Sequence, residues 1–281
     1  GALWSVSIGF AEAPAEPEPG APRWLRADAE RGDADAAFLL ARALEDRRAP
    51  LPPGGRTPAW RSWLRRAAEG GHAEALFRLG LELIEVAAGE AAEHLRAAAR
   101  QGHCGAQLHL AAMLAEGSGE AEAEALEWLE EAADQGDAEG CWRLASWHRA
   151  GRGEDCNQRA AEHWAARAAA LGHTTAQYER GEQLRAVDAE GRGHEAAAPW
   201  FASSACSGDA RAQCNVGTMY AQGLGGLPRD DGAARHWFAA AAEQGEGSAL
   251  YNLALFHARG LGGLPRDLAA ARGFCARAAR Q

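Results

Sequence analysis

The sequence predicts an all-α solenoid, an array of about seven stacked helical hairpins, and three observations carry that expectation. An aromatic or aromatic-sized residue is followed eight positions later by glycine seven times: Trp24/Gly32, Trp63/Gly71, His94/Gly102, Trp128/Gly136, Trp164/Gly172, Trp200/Gly208 and Trp237/Gly245. The glycines lie 39, 31, 34, 36, 36 and 37 residues apart, a period that suits helix-pair repeats and not one compact enzyme domain. The 281-residue chain is 47% hydrophobic, and Ala dominates that class while Val, Ile and Tyr are few. Such a composition favours helix over strand.

Taken in order, residues 1–22 read as an extended or disordered segment, since Ala11 to Pro22 is rich in Pro and Glu. The apolar run from Ala2 to Ala13 reads either as the tail of a secretion signal or as a boundary followed by a linker. The repeat array then spans 23–281. Its units run 23–46, 58–87, 89–117, 121–151, 157–187, 193–223 and 231–260, with a capping helix at 267–280. A Pro-Gly-rich loop at Arg47 to Pro58 interrupts the pattern, and the turn near Gly89 is shortened.

The last full unit shows the signals that define a hairpin. Asp230 and Asp231 are capping candidates, strong helix formers follow, and Gly245 stops the helix. A second apolar periodicity runs from Ser248 to Arg259 before Gly260-Leu-Gly-Gly-Leu-Pro-Arg-Asp267 breaks it. The hairpin glycine is expected to supply a left-handed backbone position. Ala recurs four residues beyond it, at Ala36, Ala75, Ala106, Ala176, Ala212 and Ala249 with Gly140 once, which suits close approach of two helices. The recurring Trp is expected to be core, packed between adjacent hairpins.

Residues 249–267 (Ala-Leu-Tyr-Asn-Leu-Ala-Leu-Phe-His-Ala-Arg-Gly-Leu-Gly-Gly-Leu-Pro-Arg-Asp) and 233–245 (Ala-Ala-Arg-His-Trp-Phe-Ala-Ala-Ala-Ala-Glu-Gln-Gly) resemble the Sel1-like repeat family, relatives of the tetratricopeptide repeat. The resemblance covers nearly everything after residue 22. It implies a right-handed α/α superhelix that acts as a scaffold or adaptor without catalysis. The turn here is one residue longer than the usual family form, which bears on the twist between hairpins.

Counted from the recurring Trp, positions +12, +13, +14, +16, +17 and +20 are mostly apolar or small and fill an arc of about 200°. The remaining arc is free to vary. At +15 stand Leu39, Arg78, His109, Arg143, Glu179, Asn215 and Asn252; at +19 stand Ala43, Glu82, Met113, Trp147, Gln183, Met219 and Phe256. Arg, His and Asn beside Met, Trp and Phe form a candidate peptide-binding strip, because aromatic and Arg side chains supply much of interface energy. The candidate contact residues are Arg78, His109, Arg143, Glu179, Asn215, Asn252, Trp147, Met113, Met219 and Phe256. An alternative reading of the Asn residues is that they cap or bridge neighbouring helices.

Cys206 and Cys214 flank the Gly208 turn, and the resemblance to the cysteine-rich branch of the family implies a disulfide between them. Cys104, Cys141, Cys156 and Cys275 have no partner at that spacing, which departs from that branch. His94, His103, Cys104 and His109 make a loose group without the spacing of a zinc site, and no nucleophile elbow or Ser/His/Asp order is visible. No catalytic residue, metal ligand or cofactor is expected. A net charge of −10, with 29 basic residues that are all Arg, argues against a general nucleic-acid binder. No segment has the roughly 18 apolar residues that a membrane span needs.

The expected function is therefore a non-enzymatic scaffold that binds a partner protein or peptide in a concave groove. The alternative is an exported cell-envelope or glycan-binding protein, with hydrolase activity as a third option. A soluble, exported or periplasmic location is favoured over a cytoplasmic one. A monomer is expected, with homo-oligomerisation through Leu3 to Phe10 as the other outcome.

Overall fold

The computed structural model describes residues 22–45, 59–117, 119–151, 157–186 and 192–280, and every regular element among them is an α-helix. The expectations placed on residues 1–21, on the Arg47 to Pro58 loop and on Cys156 lie outside the described residues. The chain divides into two compact parts, Gly1–Leu110 and Ala111–Gln281, the division falling inside one helix. In the first part, α1 (Arg23–Glu30) and α2 (Ala34–Glu45) form one hairpin, followed by α3 (Ala59–Glu69) with α4 (Ala73–Leu83) and by α5 (Ala88–Ala99) with α6 (Cys104–Leu114). The second part holds α7 (Glu120–Asp134) with α8 (Ala138–Ala150), α9 (Gln158–Ala170) with α10 (Thr174–Ala186), α11 (Gly193–Cys206) with α12 (Ala210–Gln222), and α13 (Asp231–Glu243) with α14 (Gly247–Arg259). A last helix, α15 (Leu268–Ala278), follows. Odd-numbered helices are called A here and even-numbered ones B.

The local signals act as read. All seven hairpin glycines have φ between 80° and 97°, the region a side chain enters only at a steric cost. They close the A helix so that the B helix starts at once. Asp137, Asp209, Asp230 and Asp267 cap the helices that follow them by accepting a backbone N–H. The Gly-Leu-Gly-Gly-Leu stretches are packed connectors, since a Cβ on Gly225 would run into Met219 and the His194 carbonyl.

Packing between hairpins follows one rule. The residue after the recurring Trp is a knob: Leu25, Leu64, Leu95, Leu129, Phe201 and Phe238 are all buried. Leu95, Phe201 and Phe238 enter a notch at position +17 of the preceding hairpin. A Cβ added to Gly80 would lie 2.8 Å from Leu95, one on Gly181 would lie 2.7 Å from Phe201, and one on Gly217 would lie 2.8 Å from Phe238. The alanines at +12 and Gly140 are buried as the hairpin's inner contact.

The recurring Trp is not the core residue it was expected to be. Trp63, Trp128, Trp164, Trp200 and Trp237 are half-buried, and Trp24 is 64% exposed. One residue along a helix is a turn of about 100°, which carries the indole off the buried centre that its successor occupies. The ring becomes an edge seal. Trp237 packs on the cluster of Ala197, Phe201, Ala205, Ala212, Val216 and Met219, while the guanidinium of Arg167 lies 5.1 Å from the Trp164 ring centre.

A Gly-to-Ala change inside a helix ordinarily stabilises by up to about 1 kcal/mol. Gly217→Ala is expected to do the opposite, costing about 1–3 kcal/mol through overpacking against Phe238. Urea unfolding of Gly217→Ala, with and without Phe238→Leu, checks this: the second change should recover part of the loss.

Candidate functional site

The candidate strip lies on the solvent side of the B helices, where the +15 residue reaches back to the preceding B helix. In the first part, Arg78 on α4 donates through Nη1 to Glu45 of α2 at 3.1 Å and through Nε to Glu74 at 2.8 Å. His109 on α6 is exposed, its ring 5.6 Å from that of Phe77. In the second part, Glu179 on α10 accepts from Arg149 of α8 at 3.2 Å, and Asn215 on α12 donates to Glu182 of α10 at 3.0 Å. Asn252 on α14 donates to the Cys214 sulfur at 3.8 Å. Arg143 donates to Glu139, one turn earlier on α8, at 2.6 Å. Apart from the exposed His109 these side chains are half-buried, and most tie one repeat to the previous one.

Three of the expected contact residues are core instead. Trp147, Met219 and Phe256 are 5%, 2% and 5% exposed. Position +19 borders the buried arc, so a large apolar side chain there turns inward. Phe256 meets Phe238 edge-on at 5.4 Å, and Met219 joins the cluster around Phe201. Glu82 and Gln183, polar at the same position, stay exposed, and Met113 is half-buried.

The expected Cys206–Cys214 bridge is not formed, and both are free thiols. The register explains it. In this hairpin the facing positions are one residue earlier, where Gln213 donates to the Ala205 carbonyl at 3.2 Å, as Gln107 does to Ala99 at 3.2 Å and Gln177 to Ala169 at 3.3 Å. Cys206 ends α11 in solvent, while Cys214 is buried in the cluster around Phe238. Burial pushes the Cys214 thiol up to about 11 and also raises that of Cys141. The buried Gln series had a signal in the sequence, a Gln eight residues after an Ala in three repeats.

Glu74 and Glu139 are each held between an arginine and a histidine. Partial burial works against ionisation of Glu74, yet the hydrogen bonds from His103 and Arg78 hold its carboxyl below the ordinary range. Glu139 is held low in the same way by Arg143 and His173. Among the described residues, no group of three or more His, Cys, Asp or Glu is arranged to hold a metal ion. No described helix is long and apolar enough to cross a membrane.

Hairpins of this length and packing define a helical-repeat protein. The Sel1 repeat matches residues 61–72, 73–103, 105–137, 138–173, 210–246 and 247–281, more than half of the sequence, and the chain belongs to the Sel1 repeat family. Among solved structures it is similar to c5321, a protective antigen of uropathogenic Escherichia coli displaying an SLR fold, with 27% identity and a TM-score of 0.72 over 92% of this chain. The chain spans 56% of that structure's length. A Sel1 repeat protein from Oxalobacter formigenes is likewise 27% identical, with a TM-score of 0.61 over 73% of this chain and 84% of its own. No curated protein matches the chain. Sel1 repeat proteins are generally protein-interaction scaffolds and typically lack catalysis.

Two outcomes follow. Native alkylation near neutral pH should label the exposed Cys206 and Cys275 and spare Cys214 and Cys141, with no change on prior reduction, as read by mass spectrometry of the digested protein. Because Glu74 and Glu139 titrate below their ordinary 4.5 in the fold, the stability they supply is complete above that value. It drains away as pH falls through the native values. Changing both to Gln should therefore flatten the acid limb of Tm against pH.

Proposed function

We propose that this chain is a non-enzymatic scaffold that binds a partner protein or peptide along the solvent arc of its B helices. One observation supports this above others: the buried arc repeats Ala, Leu and Gly from hairpin to hairpin, while the +15 position changes through Leu39, Arg78, His109, Arg143, Glu179, Asn215 and Asn252. A face under packing constraint alone would not need such variety. In residues 111–281 the proposed contacts are Arg143, Glu179, Asn215 and Asn252, with Met113 at the border; in residues 1–110 they are Arg78 and His109. Half-buried side chains already held by neighbours lose little freedom on binding, which lowers the entropic cost of docking.

A second reading, affinity for a cell-envelope glycan, draws on the partly exposed indoles of Trp128, Trp164, Trp200 and Trp237. Both are tested with one variant, Arg143→Gln/Glu179→Gln/Asn215→Ala/Asn252→Ala, kept only if its circular dichroism and Tm match a folded array. Cross-linking in lysate with mass spectrometry should show one discrete protein enriched by the unmodified chain and lost by the variant. Equal enrichment by both removes the strip, and retention on purified peptidoglycan that depends on the indoles favours the second reading.

A further inference from the structure

Three hairpin turns carry histidine as the residue that opens the B helix, and each ring is held on three sides. Nδ1 of His72, His103 and His173 accepts the backbone N–H of Ala75, Ala106 and Ala176 at 3.2, 3.1 and 3.2 Å. Nε2 faces a carboxylate of the preceding repeat: Asp35 at 3.7 Å, Glu74 at 2.8 Å and Glu139 at 3.1 Å. The ring lies against an aromatic of that same repeat, with centroids 4.1 Å apart for Phe38, 4.5 Å for Phe77 and 5.0 Å for Trp142. With Nδ1 accepting a backbone N–H, it is Nε2 that carries the proton and donates towards the carboxylate.

The arrangement is coupled along the sequence. An acid at +11 together with a large aromatic at +14 occurs in three repeats, and each of the three is followed by a His-capped one. The repeats that precede Asp137, Asp209 and Glu246 carry Gly105/Leu108, Thr175/Tyr178 and Arg211/Cys214 instead. Histidine therefore appears where the previous hairpin offers both a carboxylate and a ring. A cap alone would not demand that, because Asp serves as well.

We propose that His72, His103 and His173 are proton-operated joints between successive repeats. A proton added at Nδ1 replaces the only acceptor with a donor aimed at another donor, at the positive end of a helix. The carboxylates pull the other way, but each charge around them is already engaged. Glu74 also holds Arg78, which lies 5.3 Å from the Phe38 ring centre, and His109 stands beside Phe77. Glu139 also holds Arg143, while Arg149 sits over Trp142 at 5.4 Å and pairs with Glu179. Asp35 is open to solvent and screened. The protonated ring therefore swings off its cap and its stack, and the turn loosens from the hairpin before it. Imidazole as a class changes charge between about pH 5 and 8, and that is the range in which the proposal is tested.

Hydrogen exchange on the full chain at about pH 7.5 and about pH 5.5, with intrinsic rates divided out, tests the proposal. Protection at Ala176 and Gln177 should fall about fivefold at the lower pH, the worth of one cap. His173→Asn keeps an acceptor that does not titrate, as Asn157 does for α9, and should hold its protection. Unchanged protection in the unmodified chain, or an equal loss in His173→Asn, overturns the joint. Nitrogen-15 spectra of the imidazoles at the higher pH give a second reading: the Nε2–H tautomer is expected, and Nδ1–H at His103 and His173 would overturn it.

Discussion

The array depends on a knob seated in a notch. Phe201 fits against Gly181, Phe238 against Gly217 and Leu95 against Gly80, in each case a large side chain of an A helix entering the space left by a missing side chain on the B helix before it. The fit has no slack, because an added methyl would come within 2.8 Å of its neighbour, where interiors packed at crystal density cannot yield cheaply. Where position +17 is Ala145, the residue after Trp164 is only Ala165. Each hairpin is thus fitted to its neighbour and to nothing further away, as in repeat arrays generally.

Everything at the surface inherits that nearest-neighbour geometry. Several polar residues outside the knob and notch bond across the same seam: Arg78 to Glu45, Arg149 to Glu179, Asn215 to Glu182, and Gln244 to the Gly208 carbonyl. Singly, such half-exposed pairs contribute little, about 0–1 kcal/mol each. Their effect is on register. A row of directional hydrogen bonds beside the knob adds an angular restraint to the contact.

Much of this was legible in the chain. The hairpin glycines, the Ala at +12 and the capping Asp residues announce themselves because each meets a backbone demand that few residues satisfy. The Trp misled because conspicuous size was taken as burial. Periodicity finds the buried face of a helix but places its centre only to within a residue or so, and here the centre lies at Phe238 rather than Trp237. The same uncertainty of one position separated Cys206–Cys214 from the true facing pair, Ala205 and Gln213. At +19, Met219 and Phe256 were assigned by angle to the outside, yet a long apolar side chain at a border chooses its own side. The histidine caps are turn residues, each following a hairpin glycine. Their carboxylate and aromatic partners lie about thirty residues earlier and acquire meaning only once the hairpins stack.

The candidate strip and the stability of the array therefore share atoms. Glu139, which meets His173 of the next repeat, and Asn215 with Glu182 cannot be altered for recognition without touching the seam between two repeats. A partner that competes for Glu179 or Glu182 takes a hydrogen bond away from a joint, and one that reinforces the bond tightens it. Binding free energy and inter-repeat free energy are then linked quantities, each measurable through the other. An enzyme site is commonly a cluster set into an independent core. In the proposed strip recognition would fall on residues that also bond one repeat to the next, so a partner docked along the B helices would read the geometry of the stack as well as its chemistry.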